Sequence, residues 1–143
     1  MVDLQTSIVN VSWTDAIQFC NLLSQHLGLK ECHSEINDGE SFSCSWEAAD
    51  YRLPTEAEWQ YAYKSGTLGY RYGELNAWYQ ENSEGMIREV GKKSPNMWNL
   101  YDMLGNVWEW CWDLYDEKEY GSYRVFRGGS WAEEARGCGA TVR

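Results

Sequence analysis

An α+β fold, loop-rich with two early helices and short strands, is predicted for this 143-residue chain. Three observations predict it. Two segments in the first half carry helix-start signals followed by helical spacing of apolar residues. The second half breaks into short alternating runs between glycines, of which the chain has 13. Finally, 9 tryptophans in a chain that is 15% aromatic supply core to segments that lack regular hydrogen-bond ladders. Buried backbone groups in such loops must still be satisfied, and bound ions and a heavy aromatic core are two ways to do it. The length fits one domain, residues 1–143, around one core.

The first helix is predicted in "VSWTDAIQFCNLLSQHLGLK". Ser12 is the expected N-cap, with Asp15 in the first turn, where the helix dipole favours a carboxylate. Ala16, Phe19, Cys20, Leu23 and Leu27 follow helical spacing as a buried stripe, and Gly28 suits the residue after the C-cap. Next, Asn37-Asp38-Gly39 is a hairpin signal. A three-residue loop there pairs Ile36 with Glu40 and sets Cys32 opposite Cys44, close enough for a disulfide. Two neighbouring free thiols are an equal alternative.

The second helix starts at a Thr55-x-x-Glu58 capping box after Pro54, packs Ala57, Tyr61 and Ala62 inward, and ends at Gly66. Beyond it, "MIREVG" is a candidate strand, and "YRVFRGGSW" alternates as a strand ending at a Gly-Gly bend.

Charge and composition exclude several classes. The net charge of −10 leaves no basic stripe for phosphates, so no nucleic-acid partner is expected. The acidity serves solubility, or supplies carboxylates for hard cations. No apolar run is long enough for a membrane helix. The start has no signal-peptide pattern, which gives a cytoplasmic location by default. None of the five cysteines is in C-x-x-C spacing, so zinc and thioredoxin-type chemistry are not suggested. His26 and His33 read as surface residues, one in a helix and one at the hairpin.

Four motifs then appear in order: "NVSWTDAIQFCNLLS", "YRLPTEAEWQYA", "PNMWNLYDMLGNVWEWCWD" and "RVFRGGSW". They resemble the formylglycine-generating enzyme family, also called the sulfatase-modifying-factor domain, from about Val9 to Arg143. The resemblance implies a C-type-lectin-related fold with bound calcium. It also implies that Asp102 and Glu109 are side-chain ligands of a structural calcium, with the backbone carbonyls of Gly105 and Val107. Calcium takes six to eight oxygens from such groups. Glu109 would then face the ion while Trp108 and Trp110 point to different packed layers. The family's second calcium site is not carried over, because no Asp-x-Phe follows Asn76.

The resemblance also implies catalysis by two cysteines five residues apart, just after the Gly-Gly-Ser-aromatic bend, that bind copper(I) through soft thiolates. Here those positions are Glu133 and Cys138. One thiolate is missing, so copper(I) binding is not expected and Cys138 is the one remaining catalytic candidate. A later family pattern can instead claim "CGATVR", which makes Cys138 structural. The expected function is therefore a non-catalytic ligand- or protein-binding accessory domain. Its binding strip is Trp131, Glu133, Glu134 and Arg136, and its partner is a protein or a small molecule. The alternative is an oxygen-dependent oxidase that converts a cysteine of a target sulfatase to formylglycine, or a related sulfur oxidation. Against the family pattern the chain is short at both ends, so an edge of the fold is exposed or completed by another chain.

Overall fold

The computed structural model describes residues 5–36, 41–47, 50–66 and 76–139. The chain divides into two compact units, Asn10–Leu53 and Met1–Val9 with Pro54–Arg143. In the first unit, helix α1 spans Trp13–His26, and Ser12 and Asp15 form a reciprocal capping box. Gly28 has φ +70°, as its place after the helix end predicts.

The buried face of α1 differs from the expected stripe. Ile17 and Ser24 are fully buried, whereas Phe19 is 62% and Leu27 52% exposed. Ser24 can occupy the interior because its hydroxyl is satisfied twice. It donates to the Cys20 carbonyl at 2.9 Å and accepts from the Tyr51 N–H at 3.0 Å. Cys20 is only half-buried.

The hairpin of this unit is β1 (His33–Ile36) against β2 (Ser41–Cys44), antiparallel. Its register is one residue off the expectation. His33 faces Cys44 and Ile36 faces Ser41, so the connection is one residue longer than a three-residue loop. The predicted turn residues Asn37, Asp38 and Gly39 lie outside the described residues. His33 is 2% exposed, which overturns the surface reading, whereas His26 is exposed as expected.

In the second unit, α2 spans Glu56–Lys64, and the Thr55–Glu58 capping box forms as predicted. The helix ends at Ser65 in the left-handed region, followed by Gly66 at φ +83°. Its buried residues are Trp59 and Tyr63, four apart and stacked at 5.8 Å, rather than Ala57, Tyr61 and Ala62. The larger aromatic pair takes the core and turns Tyr61 outward, edge-on to Trp98 at 5.0 Å.

Two short sheets complete this unit. Strands β3 (Ala77–Trp78) and β4 (Leu104–Gly105) pair in parallel. Strands β5 (Glu109–Leu114) and β6 (Arg124–Arg127) pair antiparallel with a register shift between Trp110 and Leu114. A four-residue helix, α3 (Glu117–Tyr120), joins them. The core gathers Trp59, Tyr63, Ala77, Tyr79, Leu104, Cys111, Val125 and Cys138. The start of α2 is tied to β5: Trp112 N–H donates to the Pro54 carbonyl at 2.8 Å, and Glu56 N–H donates to the Asp113 carboxylate at 2.6 Å. The predicted strand "MIREVG" forms only an isolated bridge, Thr6 to Glu89, because Arg88 turns its backbone toward Asn106 instead.

Candidate functional site

The Trp-Glu-Trp segment opens β5, and Glu109 is its first residue. Trp108 and Trp110 do not point to separate layers. Both meet Phe126 of β6 edge-on, at 4.9 and 5.6 Å. Trp110 pairs directly with Phe126, next to Glu109 with Arg127, and the register shift comes only after Trp110, before Leu114.

The Glu109 carboxylate accepts from Trp59 Nε1–H at 2.5 Å. Burial, and then the negative charge of Asp102, push its pKa up to about 7, against the opposing effect of the Trp59 hydrogen bond. Asp102 sits at φ +54°, a conformation Asp tolerates better than most residues. Its Oδ2 accepts from Gly91 N–H at 2.7 Å, while Oδ1 is buried with no hydrogen-bond partner. A buried carboxylate oxygen without a partner is costly, and a second carboxylate close enough to repel it adds to that cost. A cation between the two would offset both. The residues present thus fit the hard, oxygen-binding site that the resemblance implies.

The next segment is fixed by Asn106, at φ +59° and fully buried. Its Nδ2 donates to the Arg88 carbonyl at 3.1 Å, and its Oδ1 accepts from Arg88 N–H at 3.0 Å. Asn106 N–H donates to the Trp78 carbonyl at 2.8 Å, and its own carbonyl accepts from Trp131 N–H at 2.9 Å. One residue thereby locks the segment before Glu109 to the Gly-Gly-Ser-Trp strip. The strip bends at Gly128 (φ +96°) and Gly129 (φ +81°), as the sequence predicts.

Beyond the bend, Ser83 Oγ donates to the Trp131 carbonyl at 3.0 Å, and Gln80 N–H donates to that of Glu133 at 2.9 Å. Glu133, Glu134 and Arg136 line a depression of about 350 Å³ with Gln80, Ala132 and Gly137. Trp131, the other residue expected in the binding strip, is half-buried and not part of that lining. Arg136 pairs with Glu134 at 2.8 Å, both well exposed.

Cys138 lies beneath this surface with no exposure. Its thiol donates to the Ser130 carbonyl at 3.5 Å, and its Cα stands 2.8 Å from where a Cβ on Gly129 would lie. Burial, and then the charge of Glu133, push the thiol up to about 11, so it stays protonated at neutral pH.

Comparison with known proteins agrees with this geometry. A family model described as the sulfatase-modifying factor enzyme 1-like domain matches residues 5–143. The chain belongs to that family. Among relatives of the sulfatase-modifying-factor domain, the "Chaperone protein LppX" of Paenibacillus barcinonensis is 31% identical over 163 residues, 87% of this chain and 58% of that protein. The "Inactive C-alpha-formylglycine-generating enzyme 2" of Mus musculus is 33% identical over 132 residues, 80% of this chain and 42% of that protein. Among solved structures, "Treponema denticola variable protein 1" superposes with a TM-score of 0.84 at 35% identity, covering 95% of this chain and 64% of that one. The chain thus spans less than two thirds of the length of each of the three. The formylglycine-generating-enzyme-like fold, mixed α+β and rich in loops, is the one the four motifs predict.

Two groups important to this structure were not found from the sequence. Asn106 looked like an ordinary loop residue inside a motif. Arg127 looked like one more alternating strand residue, yet it is 2% exposed and pairs with Glu56 at 3.3 Å. Among the described residues no helix is long and apolar enough to cross a membrane.

Proposed function

We propose that this domain is a non-catalytic ligand- or protein-binding module of the sulfatase-modifying-factor family, held by a structural calcium ion. The observation that carries this reading is the pair of positions after the Gly-Gly-Ser-Trp bend. Glu133 offers a hard carboxylate where the resemblance implies a thiolate. Cys138 is buried, protonated and packed against Gly129 rather than presented to a substrate. Copper(I) prefers soft thiolates, and the residues described on this surface offer none. The binding strip is then the depression lined by Glu133, Glu134 and Arg136; Trp131, expected in the strip, lies outside that lining. The names of two relatives, a chaperone and an inactive enzyme, support the same reading.

Copper(I) titration tests it. In a Cys32→Ser/Cys44→Ser background, which removes the adjacent thiols of the hairpin, adding Cys138→Ser is expected to leave copper(I) affinity unchanged. Tight binding that disappears with Cys138→Ser would establish Cys138 as a ligand.

Calcium is the cation proposed for Asp102 and Glu109, with the carbonyls of Gly105 and Val107. Added to metal-free protein at about 100 times its Kd, it is expected to stabilise the fold by about 2.7 kcal/mol. That corresponds to a rise in Tm of several degrees. Asp102→Asn is expected to abolish the rise. An unchanged Tm in the unsubstituted protein would remove calcium from the proposal.

A further inference from the structure

The hairpin of the Asn10–Leu53 unit carries a second cluster of ligating groups. One atom each from Cys32, His33 and Cys44 lies within 4.8 Å of the others. Cys32 and His33 are 1% and 2% exposed, and Cys44 is half-buried. The β1–β2 register places His33 directly across from Cys44. Ser45 N–H donates to the Cys32 carbonyl at 2.9 Å, which extends the pairing by one residue and holds Cys32 beside them.

The imidazole is oriented from helix α1. Asn21 Nδ2 donates to the His33 carbonyl at 2.8 Å, which fixes the orientation of that amide. Its Oδ1 can then only accept, from His33 N–H at 3.2 Å and from His33 Nδ1 at 3.3 Å. Nδ1 must therefore carry the proton, and the lone pair is at Nε2. A histidine whose other ring nitrogen is held by a hydrogen bond is the usual arrangement of a metal-binding imidazole.

A second, independent observation points to a cation. Both carboxylate oxygens of Asp50 are buried without a hydrogen-bond partner. Their charge is felt at both His33 and Cys44. The nearby positive group is Arg52, whose guanidinium lies over the Trp46 ring at 5.0 Å and donates to the Leu53 carbonyl at 3.2 Å. Its charge, like that of Asp50, acts at both His33 and Cys44, but the buried Asp50 oxygens still accept no hydrogen bond, which is costly unless a cation meets them.

We propose that Cys32, His33 and Cys44 form a zinc site, with Asp50 as the nearby carboxylate that helps balance its charge. Two thiolates and one imidazole are a common zinc donor set that leaves a fourth position. Binding releases both thiol protons to solvent as the two sulfur–zinc bonds form. The dipositive ion then stands against two thiolates and one carboxylate. The sulfurs are 2.8 Å apart without metal. Zinc–sulfur bonds of about 2.3 Å in a tetrahedron need about 3.8 Å between them. The pair must therefore open by about 1 Å, which side-chain rotation of half-buried Cys44 on its short strand can supply. A search for C-x-x-C spacing misses this site because its ligands come from two strands of a hairpin.

The test uses the full chain, reduced and metal-free. Zinc is expected to bind one to one in competition with a chromogenic chelator and to raise Tm. Cobalt(II) in its place is expected to give a thiolate-to-metal charge-transfer band. Cys44→Ser should remove the band, and Cys138→Ser should keep it. If Cys44→Ser fails to fold, Asp50→Asn is the milder variant, expected to weaken zinc binding about 10- to 100-fold. Absence of both the cobalt band and zinc competition in the reduced, unsubstituted protein would overturn the proposal. So would a Cys32–Cys44 disulfide that persists under reducing conditions in the folded protein.

Discussion

Gly105→Ala is expected to cost more than about 4 kcal/mol, a large share of the roughly 5–15 kcal/mol that holds a typical domain folded. Gly105 has φ +72°, where an L-residue loses roughly 1–2 kcal/mol from backbone sterics alone. Steric overlap with the neighbouring strand costs more. A Cβ there would run into the Trp78 carbonyl oxygen and lie 2.8 Å from both Trp78 C and N. These are backbone atoms, so no rotamer change relieves the overlap. Trp78 is the strand partner of Gly105, and its carbonyl also accepts from Asn106 N–H. Relief means separating β3 from β4 and disturbing the segment between Asp102 and Glu109. Gly85→Ala and Gly121→Ala are the controls. Both glycines have positive φ, but neither has an atom within 4 Å of the added Cβ, so they lose only the backbone contribution. Comparable denaturation midpoints for Gly105→Ala and the controls would refute the close approach as the cause.

Arg127→Met is expected to cost about 3–5 kcal/mol, the usual effect of removing one partner from a buried ion pair. Arg127 is 2% exposed, pairs with Glu56 at 3.3 Å and lies over the Trp59 ring at 5.1 Å. It links the last residue of β6 to the first turn of α2 and covers the central indole of the core. Removing it takes the Arg127 cation away from Glu56, whose side chain is only 17% exposed. A Glu56→Gln/Arg127→Met double variant should recover part of the loss, because no half-buried carboxylate charge is then left without the Arg127 cation. A coupling of about 0.5–3 kcal/mol in the double-mutant cycle is the expected result. Additive effects would show that Arg127 acts through packing on Trp59 alone.

The legible parts of the fold were those set by local chemistry. Both capping boxes follow from side-chain-to-backbone hydrogen bonds between residues three apart, and the glycines after both helices follow from the left-handed backbone there. The Gly128–Gly129 bend follows from the left-handed backbone that glycine adopts freely. What the sequence left open was decided by long-range packing. Spacing fits both the Tyr61 face and the Trp59–Tyr63 face of α2, and the area buried by the indole chooses between them. The β1–β2 register depends on a turn whose length was one residue greater than Asn37-Asp38-Gly39 suggested. Every residue downstream of that choice changes partner, including Cys44.

The site was legible in the same uneven way. Asp102 and Glu109 stand out because the four ordered motifs point to them. The burial of Cys138 does not, because Gly129 and Ser130 reach it only through the fold. The Cys32, His33 and Cys44 cluster needed the hairpin register and the Asn21 amide before it could be recognised.

Oxygen uptake with a cysteine-containing sulfatase peptide, in the presence of copper(I), bears most directly on the non-catalytic reading. With Glu133 in place of a thiolate and Cys138 sealed in the core, uptake is expected to match the copper-and-peptide blank, and no hydrazide-reactive aldehyde should form on the peptide. Uptake above that blank, accompanied by aldehyde on the peptide and lost in Cys138→Ser, would contradict it.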